Sequence, residues 1–211
     1  MSSANFYCAF DYFQDIICIR PEPAHLQLPE TDGRFKKLGI AERVKTVPPV
    51  YTPGHAAAGQ VMTHRNIIAQ AQAQGLESVL VFEQTALFLD DALQVLLPAI
   101  GELCTLPWQV CYLGGQLWRG ALEAQPGCRH WHRAQDFSGV HAIAYHRRVY
   151  DHLLQQIPDV FDRLDSWLHE HRQFEQFLRT VADAVVIEPR IASLPALLPF
   201  EAPEVQFSYT L

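Results

Sequence analysis

The polar triplet Glu83-Gln84-Thr85 follows directly on an uninterrupted apolar run at positions 79–82. A carboxylate at the end of a buried strand could hold a ligand or a hard divalent cation, because Mg²⁺ and Mn²⁺ prefer oxygen ligands. Gln84 and Thr85 offer neutral oxygens, so Glu83 alone should bind such an ion weakly. Glu83 could equally cap or pair with a local group, and the sequence leaves both interpretations open.

Two other features could contribute to a site. Gly114-Gly115 closes a second apolar run, at 110–113, and glycines allow either a close approach of the backbone to a ligand or an ordinary tight turn. His64 lies on the apolar stripe of a predicted helix at 56–74, which is more typical of a hydrogen-bonded core histidine than of a catalytic one. The sequence contains no Gly-x-Gly-x-x-Gly, Walker or Gly-x-Ser-x-Gly motif, which disfavours a dehydrogenase, a phosphate-loop enzyme and a hydrolase.

Short apolar runs typical of buried strands alternate with helical patterns along the chain. The predicted strands are at 16–19, 79–82, 110–113, 140–145 and 185–187, and the predicted helices are at 56–74, 93–104, 149–157 and 164–181. This alternation predicts an α/β fold with a doubly wound, mainly parallel sheet and helices on both faces. The segment 116–136 shows no clean period and predicts a loop.

The ends of these strands indicate where a ligand would bind. In doubly wound sheets, ligands gather at the carboxyl ends of the strands. Arg20, Glu83, Gly114 and His146 each lie at such a position in the predicted order. We therefore expect these four residues at one edge of the sheet.

A longer set of residues resembles one glycosyltransferase group. The matching features are Gly59, Thr63-His64, the helix end at Gly75, the strand 78–83, the strand 108–114, and the segment 138–144 followed by 147–154. Together they resemble glycosyltransferase family 25, the lipopolysaccharide and procollagen galactosyltransferase-like group. Arg20 and Asp165 are single-residue matches. The likeness covers most of residues 13–192 and is most specific between 59 and 115.

This resemblance implies a GT-A fold and a sugar transfer. The donor would be a nucleotide sugar, typically a uridine diphosphate (UDP) sugar, and the acceptor a hydroxyl of a surface glycan, as in lipopolysaccharide biosynthesis. The family's buried strand normally ends in a Glu-Asp-Asp triplet that helps to hold a divalent metal against the donor diphosphate. Glu83-Gln84-Thr85 departs from that motif, since two of its three carboxylates are replaced.

The resemblance also assigns site residues. The implied metal ligand is Glu83, the metal would be Mn²⁺ or Mg²⁺, and the donor-binding residues are Arg20, His64, Glu83, Gln84, Gly114 and His141. The diverged triplet leaves three outcomes open. The metal could bind through Glu83, Gln84 and the donor phosphates; Arg20, Arg147 or Arg148 could replace it by charge-assisted contacts; or transfer could be lost.

Asp165 is the candidate catalytic base. It would accept the proton of the acceptor hydroxyl as that oxygen attacks the anomeric carbon, and family analogy implies inversion at that carbon. The alternative is that Asp165 caps a helix, because Asp159, Asp162 and Asp165 form a cluster typical of helix starts.

Composition limits the class of protein. The 211 residues carry 16 Lys and Arg against 23 Asp and Glu, a formal net charge of -7, and 49% are hydrophobic. We expect a single glycosyltransferase-like domain over 1–211, with a core at about 13–192 and a proline-punctuated tail at 193–211. The acidic balance argues against nucleic acid as a partner. No apolar run reaches the roughly 20 residues of a membrane span.

Location and assembly follow from other features. The five cysteines are scattered and the first five residues lack the character of a signal peptide, so we expect a cytoplasmic protein with reduced thiols. The alternating residues 205–211 could pair with a partner's sheet edge, which would give a homo-oligomer. The alternative to an active transferase is a catalytically inactive GT-A-like domain that binds sugar nucleotides or another protein.

Overall fold

The computed structural model describes residues 8–21, 30–52, 56–117, 121–135, 137–157, 178 and 181–194. A short 3₁₀ helix, Ala9–Tyr12, precedes the first strand. The other elements, in chain order, are β1 (Asp15–Ile19), α1 (Glu30–Lys37), β2 (Val44–Val47), α2 (Ala56–Ala73), β3 (Ser78–Glu83), β4 (Leu87–Phe88), α3 (Ala92–Leu103), β5 (Val110–Tyr112), β6 (Gln116–Leu117), β7 (Glu123–Ala124), β8 (Trp131–Arg133), β9 (Phe137–Ser138), β10 (Ala142–His146), α4 (Arg147–Gln156), β11 (Ala184–Ile187) and β12 (Ala192–Ser193).

The central sheet has eight strands in the order β2-β1-β3-β10-β5-β11-β8-β7. Six of them run in one direction, and β10 and β8 run in the other. Two small sheets, β12-β4 and β6-β9, lie outside it. The predicted α/β fold with a mainly parallel sheet is confirmed.

Both faces of the sheet are covered because its inner strands are apolar on both sides. In β1, Ile17 and Ile19 pack on the α2 and α4 side, whereas Ile16 and Cys18 pack on the side of α1 and α3. Successive side chains of a strand point to opposite faces, so a continuous apolar run needs a helix layer on each side. The expected helices on both faces are confirmed.

The reversed strand β10 corrects one expectation. Its last residue, His146, pairs with Ser78 at the start of β3, so His146 lies at the edge of the sheet opposite to Glu83. Apolar runs do not reveal strand direction, and the prediction had treated this strand as parallel. The reversal brings His141, just before β10, to the edge where β3 and β5 end.

The predicted loop at 116–136 also needs correction. It contains β8, which extends the central sheet beside β11 and is held on α3. Trp131 is fully buried and donates a hydrogen bond from Nε1 to the Ala99 carbonyl at 2.7 Å.

Glu102, on α3, accepts hydrogen bonds from the same segment. Burial by itself would raise the pKa of Glu102, but hydrogen bonds that its carboxylate accepts from His130 and from the Arg129 backbone hold this pKa below its usual value.

None of the described helices is long and apolar enough to cross a lipid bilayer.

Candidate functional site

The chain order around β1 creates a crevice. β1 lies between β2 and β3, and the chain reaches β2 through α1 on one face and β3 through α2 on the other. The strand order therefore reverses at β1. Open α/β sheets bind ligands at such a reversal, outside the carboxyl ends of the strands.

A cavity of about 390 Å³ lies at this position, a size within the range of small-ligand pockets. The residues that line it come from the ends of β1 and β3, the loop after β2, and α2. They are Ile19, Pro21, Pro49, Val50, Tyr51, Thr52, Gln60, Thr63, Glu83, Gln84 and Thr85. The whole polar triplet thus faces the cavity, and most of the remaining wall is apolar.

Glu83 is fixed from two sides. Its carboxylate Oε1 accepts a hydrogen bond from Gln60 Nε2 at 2.6 Å, and its backbone N–H donates to the His141 carbonyl at 3.0 Å. Gln60 lies on α2, so the helix orients the carboxylate at the cavity floor. Sequence reasoning missed Gln60, although it lies one helical turn before His64.

The turn after β3 is held by an arginine that sequence reasoning also missed. Arg34 on α1 donates from Nη1 to the Gln84 carbonyl at 3.2 Å and to the Ala86 carbonyl at 2.8 Å. The Gln84 N–H donates to the Ile19 carbonyl at 3.1 Å. These bonds satisfy backbone groups of the triplet, and no pattern in the sequence links α1 to this turn.

Gly59 lets α2 approach the loop that walls the cavity. A Cβ at this position would clash with the Val50 carbonyl oxygen and would lie 2.8 Å from Thr52 Oγ1. Thr63 secures the same contact, because its Oγ1 donates to the Gly59 carbonyl at 2.6 Å and accepts from the Val50 N–H at 2.8 Å. Gly59 and Thr63, two of the residues that resemble family 25, therefore shape this cavity wall.

Gly114 and His141 form a second part of the same edge. His141 is 3% exposed, and its ring fits against positions 114 and 139, where a Cβ would come 2.8 Å from Nε2 and 3.2 Å from Cε1 respectively. Burial lowers the pKa of His141, and the contact of its ring with the Ala192 backbone partly offsets this effect.

His64 does not line the cavity. It is fully buried on α2, and its Nδ1 lies 2.9 Å from the Tyr145 hydroxyl on β10. Burial lowers the pKa of His64 to about 4. The structure thus places this residue in the core behind Thr63, and its role toward a donor stays a prediction.

The low pKa of His64 predicts a loss of stability in acid. An unfolded histidine titrates near pH 6.5. As the pH falls from about 6.5 to about 4, the unfolded state binds a proton that folded His64 excludes, which lowers the free energy of unfolding by about 3 kcal/mol. Urea unfolding measured across this range should show a shallower decline for His64→Gln than for the unmodified chain.

A matched control removes a histidine from the surface. His152 is exposed on α4, so His152→Gln should keep the steep decline. An equally steep decline in His64→Gln would show that other groups cause the acid sensitivity.

Of the three arginines predicted to replace a metal ion, Arg20 lies at the edge of the sheet that holds the cavity and the other two do not. Arg20 Nη1 pairs with Asp32 Oδ1 at 2.8 Å on the α1 side of the sheet, so its charge is already balanced. Arg147 and Arg148 begin α4, after the far end of β10, and Arg147 pairs with Glu77 at 2.6 Å. The structure therefore brings Arg20, Glu83, Gln84, Gly114 and His141 to one edge of the sheet, but not Arg147 or Arg148. Asp165 lies outside the described residues.

The described residues do not fit a resident metal ion. They contain no group of three or more His, Cys, Asp or Glu side chains that could hold one. Among the cavity-lining residues, Glu83 supplies the sole carboxylate, and one of its oxygens accepts from Gln60. Mn²⁺ or Mg²⁺ would find one carboxylate and two neutral side chains, which is a weak set for a hard cation.

Comparisons with known proteins add little to this geometry. No family model matches the chain, and no curated protein matches it. Eleven chains of solved structures match, among them one described as mannose-1-phosphate geranyltransferase from Thermus thermophilus. The two share a TM-score of 0.38 and 14% identity over 82% of this chain and 58% of that one, so this chain spans less than two thirds of that structure's length. A similarity this low assigns neither fold nor function.

Proposed function

We propose that this chain is a glycosyltransferase of the family 25 type with a GT-A-like domain. It would act in the cytoplasm and transfer a sugar from a UDP-sugar to a hydroxyl of a surface glycan. The observation that carries the proposal is the cavity at the strand reversal, whose floor is the Glu83-Gln84-Thr85 turn. The residues that resemble family 25 at 59, 63 and 83 all shape or line this cavity.

The cavity wall has apolar residues that suit the base of a nucleoside and a carboxylate that suits its ribose. Ile19, Pro21 and Val50 offer apolar surface for the flat face of a uracil ring, and exposed Tyr51 at the mouth offers an aromatic ring for stacking. Glu83 can accept hydrogen bonds from ribose hydroxyls, as acidic residues do in other nucleotide-binding α/β sheets. In this role the carboxylate needs no metal ion.

Transfer would follow from positioning and proton removal. The acceptor oxygen forms a bond to the anomeric carbon, while the bond from that carbon to the diphosphate oxygen breaks and its electron pair stays on UDP. Asp165 would take the proton of the acceptor hydroxyl. Attack opposite to the leaving group inverts the anomeric configuration.

Thermal unfolding with added ligands tests donor binding. UDP and its sugar conjugates, at about a hundred times their Kd, should raise the free energy of unfolding by roughly 2.7 kcal/mol. Because the triplet has a single carboxylate, the rise should be the same with Mn²⁺ and with a chelator. A rise that requires Mn²⁺ would show that the triplet still supports a metal ion, and the absence of any rise would contradict the proposal.

The competing function is a domain that binds sugar nucleotides without transferring the sugar. The loss of two carboxylates from the triplet is the feature that favours it. Release of UDP from a UDP-sugar, with or without an acceptor glycan, would exclude this alternative. Binding without any release would support it.

A further inference from the structure

Arg190 places a positive charge at the same edge of the sheet as the cavity. It lies three residues after β11, and 39% of its side chain is exposed. Its Nη1 donates to the Gly115 carbonyl at 3.1 Å, and its Nε lies 3.4 Å from Glu188 Oε2. No other hydrogen bond or ion pair of this guanidinium falls within the described residues, so Nη2 can still donate to a ligand.

Backbone hydrogen bonds connect Glu83 to Arg190 along the strand ends. The Glu83 N–H donates to His141, the Leu113 N–H donates to Ala142, and the Ile191 N–H donates to Leu113, each at 3.0 Å. β10 lies between β3 and β5, so two strand spacings of about 4.8 Å each separate these two strands. Gly115, which follows β5, accepts the hydrogen bond from Arg190. The strand ends from Glu83 to the end of β5, which Arg190 contacts, therefore span about 10 Å.

Glycines occupy the strand ends along this span. Gly114 is buried under the Ala192 carbonyl, whereas Gly115 and Gly139 are half-buried and leave part of their backbone accessible near Arg190.

The nearby arginines of the described chain have other partners. Arg20 pairs with Asp32, and Arg34 donates to two carbonyl groups of the β3 turn. Arg190 also has partners, Glu188 and the Gly115 carbonyl, but 39% of its side chain is exposed at the carboxyl edge, against 11% for Arg20. A guanidinium binds phosphate oxygens with two parallel N–H bonds.

We propose that Arg190 binds the diphosphate of the nucleotide sugar and supplies the positive charge that the diverged triplet has lost. This inference rests on the proposed function, because it assumes that the nucleoside occupies the cavity. The charge would also stabilise the electron pair that the diphosphate gains when its bond to the sugar breaks. Arg190 takes no proton in this step.

Isothermal titration with uridine and with UDP separates the diphosphate from the nucleoside. Arg190→Ala should weaken UDP binding by about 10- to 100-fold, as expected for a charged hydrogen bond, and should leave uridine binding unchanged. Arg133 is the matched control, since it is exposed on β8 opposite Val185 at the start of β11. Arg133→Ala should bind both ligands as the unmodified chain does.

A second variant should bind UDP more tightly, a result that impaired folding cannot produce. Glu188→Gln removes the carboxylate beside Arg190 and should tighten UDP binding several-fold, with uridine unchanged. Equal UDP binding by the unmodified chain, Arg190→Ala and Glu188→Gln would overturn the role of Arg190 and leave the proposed function standing. Failure of the unmodified chain to bind either uridine or UDP would overturn both.

Discussion

Gly114→Ala is expected to lower the free energy of unfolding by about 3 kcal/mol, at the upper end of typical overpacking effects. The added Cβ would overlap the Ala192 carbonyl oxygen and would lie 2.8 Å from His141 Nε2. The carbonyl belongs to backbone that bridges to Gly114 and cannot rotate away. Urea unfolding followed by circular dichroism measures the loss.

Gly101→Ala is the control for this substitution. Gly101 lies on the exposed side of α3, with no atom within 4 Å of an added Cβ. Alanine there should raise stability by up to about 1 kcal/mol, because glycine is a poor helix former. Unchanged stability of Gly114→Ala would mean that the strand end and the Ala192 backbone leave room for a methyl group.

Asp165→Asn is expected to slow sugar transfer by about a hundredfold to ten-thousandfold, the contribution typical of a general base. The amide has nearly the same shape but cannot accept the proton of the acceptor hydroxyl. Donor affinity should change little, so the loss should appear in kcat. Steady-state measurement of UDP release checks both parameters.

Asp162→Asn distinguishes a base from a helix cap. If Asp165 is the base, Asp162→Asn should keep most of the activity. If the cluster only caps a helix, Asp165→Asn and Asp162→Asn should both keep most of the activity and stability, because asparagine caps a helix about as well as aspartate. The second pattern would remove Asp165 from the mechanism.

The sequence allowed the fold class to be predicted because the inner strands are continuous apolar runs. β1, β3, β5, β10 and β11 each coincide with such a run. Strand direction and the short strand β8 could not be predicted. Both depend on contacts between distant segments, such as the bond from Trp131 to the Ala99 carbonyl.

The candidate site was predictable where a residue ends a strand and not where it acts from a helix or a loop. Glu83 and Gly114 were predicted at the ligand edge because each follows a buried run, and the structure places both there. Gln60, Arg34 and Arg190 gave no signal, since each reaches its partner across at least 23 residues of chain. Their partners become apparent once the sheet order is known.

The central claim is that the cavity between β1 and β3 binds the donor. Isothermal titration of UDP-galactose and UDP-glucose into Thr85→Trp tests it most directly, because Thr85 lines the cavity and an indole there would occupy part of the space for the ligand. Thr105→Trp adds the same ring at an exposed site after α3, in the segment that leads to the start of β5. We predict that the unmodified chain and Thr105→Trp bind at least one of these ligands with equal affinity, and that Thr85→Trp binds at least about tenfold more weakly, a loss of about 1.4 kcal/mol. Binding to Thr85→Trp as tight as to the unmodified chain would contradict the claim.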